Sequence, residues 1–162
     1  MGSWVALPGP PVRPQMRGTT SIAVVLALVT GPALAGPCDS LGHAIATRTK
    51  ATIEAITPEF GNVKFNHSAA HEMTLMCGPG AARSIFVAYE GKPDARFLAL
   101  ASVAGGILLG GASVSPRAVG DCMLAAMVDP SGVAEREAGL AHLDCSASVP
   151  PDENGNVTIS HK

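Results

Sequence analysis

Side chains able to do chemistry gather most densely between positions 67 and 77, where the chain reads HSAAHEMTLMC. His67 and His71 stand four apart, Glu72 adjoins them, and Met73 and Met76 follow. Imidazole and thioether together suit copper, which makes His67 and His71 the candidate metal ligands. Four-residue spacing gathers two histidines on one face only in a helix, however, and this segment reads as a turn entering a strand. A polar loop beside core methionines therefore competes with the copper reading. His142 and Cys145 offer a weaker combination of the same kind.

Catalytic patterns are missing. Ser113 and Ser115 lie among glycines but not within Gly-x-Ser-x-Gly, and no histidine and acid are spaced to serve them. Gly105-Gly106 and Gly110-Gly111 lack the Lys-Ser/Thr that completes a phosphate loop. Glu135 and Glu137 occur in a charged stretch that reads as solvent-facing. No catalytic residue and no cofactor is assigned, and enzymatic activity stays an open question.

Four cysteines remain, Cys38, Cys77, Cys122 and Cys145, with no Cys-x-x-Cys for thiol exchange. An even count in an exported chain reads as two disulfides with three possible pairings. Order along the chain favours Cys38 with Cys77 and Cys122 with Cys145.

Export is indicated by residues 1–35. Arg17 precedes an apolar stretch from Ser21 to Leu34, which closes on the small-x-small pattern Ala33-Leu34-Ala35. Met16 is a candidate start, since the Pro-rich residues before it fit no part of a signal. Pro37 stands where a lipobox would carry a small residue before Cys38, which favours release over lipid anchoring. Cleavage after Ala35 leaves residues 36–162 as a single domain. It also removes Arg13 and Arg17, so that nine basic residues face thirteen acidic ones. That balance disfavours nucleic acid as a partner. The one tryptophan, Trp4, leaves with the signal.

The elements that must position these groups are organised around Phe97 to Ser115, FLALASVAGGILLGGASVS, a run without charge. It just reaches the roughly 20 residues of a spanning helix, and Ser102, Gly106 and Gly110 have the spacing that lets membrane helices approach. Its flanks, Asp94, Arg96, Arg117 and Asp121, carry mixed charge and no aromatic belt, which favours a helix buried in a globular core.

Before the run, a capped helix from Asp39 or Ser40 is expected to carry Leu41, Ile45, Ile53 and Ile56 at helical spacing and to end at Thr57-Pro58. Short strands follow at Val63–Phe65, Glu72–Cys77 and Ser84–Tyr89, with turns between them. After the run, Ser115-Pro116 caps a second helix with a Val119, Cys122, Met123, Ala126, Met127 stripe, stopped by Asp129-Pro130. Ser131 to Ala138 reads as one or two helical turns, and 140–146 and 156–160 as strands. The order α-βββ-αα-ββ defines an α+β domain whose helices cover one face of an antiparallel sheet.

Most of residues 38–160 resembles a set of small exported proteins from Proteobacteria to which no function is attached. The HEMTLMCG segment, the glycine-bearing apolar helix and Cys122 in the next helix carry the likeness. The resemblance implies no activity and no site. These readings together predict a periplasmic or extracellular binding or interaction domain of unassigned partner, an envelope protein among the candidates. Copper binding by His67 and His71 and membrane association through the 97–115 run are the alternatives.

Overall fold

The computed structural model describes residues 38–57, 59–78, 83–148 and 153–162, all within one compact unit. The signal and its cleavage site lie outside the described residues. Among the described residues three helices, α1 (Asp39–Thr49), α2 (Ala95–Leu108) and α3 (Pro116–Val128), accompany seven strands. The strands are β1 (Thr52–Ile56), β2 (Val63–Asn66), β3 (Glu72–Met76), β4 (Ser84–Glu90), β5 (Val133–Ala138), β6 (Ala141–Ala147) and β7 (Asn154–His161). They form one antiparallel sheet in the order β1-β2-β3-β4-β7-β6-β5. Two meanders thus meet where β7 pairs with β4, and α2 and α3 carry the chain from the middle of the sheet to its far edge.

The α+β class, the single domain and the two disulfides agree with the sequence reading. Cys38 pairs with Cys77, and Cys122 with Cys145. Period-two alternation in the strands separates the faces. Val63, Phe65, Met73, Leu75, Ile85, Val87, Leu143, Val157 and Ile159 are buried with the helices on one side. The other side keeps Lys64, Thr74, Phe86, Thr158, Asp144 and Glu135 in one cross-strand row.

Two expected elements change type. The first helix ends at Thr49, where Lys50 turns left-handed at φ 60°, and residues 52–56 form a strand. Ile53 and Ile56 mimic helical spacing because β1 is irregular between Ile53 and Ala55, so that Ile53 opposes Phe65 and Ile56 opposes Val63 on one face. Residues 133–138, expected as helical turns, are edge strand β5. Gly139, at φ 66°, holds the first position of a two-residue hairpin loop between Ala138 and Ala141, where a type II′ turn places glycine.

The apolar run is divided. Asp94 caps α2 by accepting from the Phe97 amide at 2.8 Å, and the helix ends at Leu108. Gly110 and Gly111, at φ 69° and 96°, turn the chain towards α3. Among the described residues no helix is long and apolar enough to cross a membrane. Nor is α2 buried all round: Phe97, Leu100, Ala101, Ala104 and Gly105 face the core, whereas Ala99 and Val103 are exposed. A Cβ on Gly105 would lie 2.8 Å from Ile159 Cδ1 and one on Gly106 3.0 Å from the Ala112 carbonyl, so Gly105 marks the close approach to the sheet.

Candidate functional site

Three hollows share Tyr89, at the close of β4 and one end of the sheet. Tyr89 owes its position to a cross-strand partner without a side chain, Gly155. A Cβ there would fall 2.5 Å from the Tyr89 hydroxyl and 2.5 Å from the Ser146 carbonyl, so only glycine leaves room for the ring. The ring is 5% exposed and packs edge-on against Phe97 of α2, with centroids 4.9 Å apart. Burial, and secondarily the charge of Glu153, push its hydroxyl above the usual phenol range.

A cavity of about 400 Å³ opens beside this ring. Its walls include Tyr89, Pro93, Ala126, Met127 and Ala147, from β4, the β4–α2 turn, α3 and β6. Lys92 and Glu153, 3.7 Å apart as an exposed ion pair, stand among its lining residues. Two smaller hollows, of about 250 and 300 Å³, share the Tyr89–Glu90 corner and are lined by His71 as well. Apolar walls with few polar groups at this volume suit a small molecule.

The structure places the two candidate copper ligands in the β2–β3 connection. The His67 ring Nδ1 accepts from the Ala69 amide at 3.0 Å, which closes a tight turn. The His71 amide donates to the Ala88 carbonyl, and its ring lies 3.5 Å from Glu90 Oε2 at the corner described above. Met73 is buried on the helix-covered face and Met76 belongs to the opposite one, as strand alternation requires.

A different set of metal-ligating side chains comes together on the uncovered face. Glu135 of β5 stands directly opposite Asp144 of β6, and His142 lies two residues from Asp144 on the same face. His142 Nε2 is 3.0 Å from Asp144 Oδ1, and one ligand atom from each of the three lies within 4.8 Å of the others. Among the described residues this is the one group of three or more His, Cys, Asp or Glu side chains so arranged. Reading β5 as helix hid it. The signal was the glycine at position 139: a two-residue hairpin loop there fixes the register that sets Glu135 against Asp144.

The molecule is thus an α+β domain with two disulfides, one helix-covered sheet face, one open face and an apolar hollow at one end. No family model, curated protein or solved structure matches the chain. Two disulfides suit an oxidising, periplasmic or extracellular environment.

Proposed function

We propose that the protein is an exported binding domain, and that the apolar hollow beside Tyr89 holds a small amphipathic molecule. The cavity itself carries this reading: four elements wall it with apolar groups, and one Lys–Glu pair stands ready to meet a polar or charged head group. A ligand of this kind needs no catalytic residues, which fits the absence of a catalytic motif in the sequence. Release into the periplasm or the medium after signal cleavage gives such a domain access to envelope molecules.

Native mass spectrometry of the protein isolated from an envelope fraction tests the proposal. A bound small molecule is expected in the wild type and not in Met127→Lys, which puts a charge on an exposed wall residue. A bare chain from both, together with no saturable uptake of an added apolar probe, would contradict it.

A further inference from the structure

We propose that Glu135, His142 and Asp144 form a divalent-cation site on the uncovered sheet face, separate from the Tyr89 hollow. Two carboxylate oxygens and one imidazole nitrogen within 4.8 Å of one another are a donor set suited to zinc or a similar first-row ion. Solvent completes the coordination, since Glu135 is exposed and the other two are half-buried.

A second observation points the same way. Glu135 and Asp144 are direct cross-strand neighbours, and like charges in that position repel. Apart from His142 itself, 3.0 Å from Asp144, the nearby basic side chains among the described residues are engaged elsewhere. Lys162 Nζ is engaged by Glu137 at 2.6 Å, Arg136 donates to the Glu135 backbone carbonyl, and Lys64 pairs with Glu54 at the other edge of the sheet. Among the described residues no Lys or Arg forms a salt bridge with Glu135 or Asp144. A bound dication would turn this repulsion into attraction.

The site is also held on rigid elements. Strands β5 and β6 pair over six consecutive positions, and the Cys122–Cys145 disulfide ties β6 to α3 from the opposite face, one residue from Asp144. Ligands on strands braced in this way keep their geometry without the metal.

The test is isothermal titration of Zn²⁺ into the untagged, disulfide-intact protein after chelator treatment. Saturable binding of one ion per chain is expected. His142→Ala and Glu135→Gln should weaken it by at least the roughly tenfold that losing even an outer-shell partner costs. The double variant His67→Ala/His71→Ala should bind as the wild type does. Without metal, Glu135→Gln should fold with an equal or higher thermal midpoint, because it removes a repulsion. Absence of saturable binding in the wild type, unchanged binding in His142→Ala, or loss of binding only in the His67/His71 variant would each overturn the proposal.

Discussion

Lys50 ends α1 in a left-handed conformation that costs a residue with a Cβ about 1–2 kcal/mol, and it is the only described non-glycine residue with positive φ. Lys50→Gly is therefore expected to stabilise the protein by up to about 1 kcal/mol, after allowing for glycine's greater freedom when unfolded. A lower denaturation midpoint would show that the lysine side chain makes a compensating contact. Gly105 has the opposite character. Its hydrogen faces Ile159, which is fully buried in the neighbouring strand β7, so Gly105→Leu should cost about 1–3 kcal/mol through overpacking despite the better helix propensity of leucine. Denaturant unfolding decides, and an unchanged midpoint would mean that the helix can lift from the sheet without loss. The glycine pair is visible in the sequence, but which member faces the sheet depends on the phase of α2 over β7; Gly106 is close instead to the Ala112 carbonyl. Ser115, whose hydroxyl accepts from the Ala118 amide at 3.1 Å, needed no such information: a serine before proline states its own role as a cap.

At the scale of elements, local signals worked where one pattern dominated and failed where two coincided. Strand β3 alternates over Met73 and Leu75, and α3 begins at a cap and carries Val119, Cys122, Met123 and Ala126 inward; both were legible, except that Met127, expected in the same stripe, is exposed. In contrast, β1 carries two isoleucines three apart because its pairing is irregular, and β5 is an edge strand whose charged residues leave little periodicity to read. Helix propensity favoured Glu135, Arg136 and Glu137, and pairing with β6 overrode it. The cysteine order did predict the connectivity, because each bridge joins the N-terminal part of a helix or its interior to the next strand system in the chain. Cys38–Cys77 ties the start of α1 to the end of β3 over a separation of 39 residues, and Cys122–Cys145 ties α3 to β6 over 23. Replacing either pair by alanine should cost about 2–4 kcal/mol, read as a lower urea midpoint under non-reducing conditions. Equal midpoints for wild type and variant would mean that packing alone holds these elements.

For the whole molecule, the asymmetry of the sheet organises both function and response to pH. One face is closed by helices, and the functional candidates lie on the open face and at the end where the two layers part. Carboxyls at the periphery are held below their usual range: Asp94 chiefly by the Phe97 amide, Asp129 chiefly by the Ser131 hydroxyl, and Glu137 chiefly by its hydrogen bond from Lys162. Depressed values mean that the folded chain binds fewer protons in acid than the unfolded one. Their contribution is complete above the ordinary carboxylate range and is lost as pH falls through the depressed values. Tyr89 has the opposite sign, because its raised value gives a contribution that is complete below the ordinary phenol range and is lost as pH rises through the raised value. Thermal midpoints should therefore be flat near neutrality and fall at both extremes. As the one tyrosine in the chain, Tyr89 can be followed directly by phenolate absorbance. Glu153→Gln should move that titration to lower pH, and an unmoved curve would place Glu153 away from the ring.

The same ring reports on the hollow. Titrating an anilinonaphthalene sulfonate probe into the folded, disulfide-intact protein, with probe emission and Tyr89 fluorescence read together, tests the binding reading most directly. Saturable single-site enhancement with quenching of Tyr89 is expected in the wild type, and both signals should be lost in Met127→Lys at an unchanged thermal midpoint. No saturable signal in the wild type, or the same signal in Met127→Lys, would contradict a ligand site beside Tyr89.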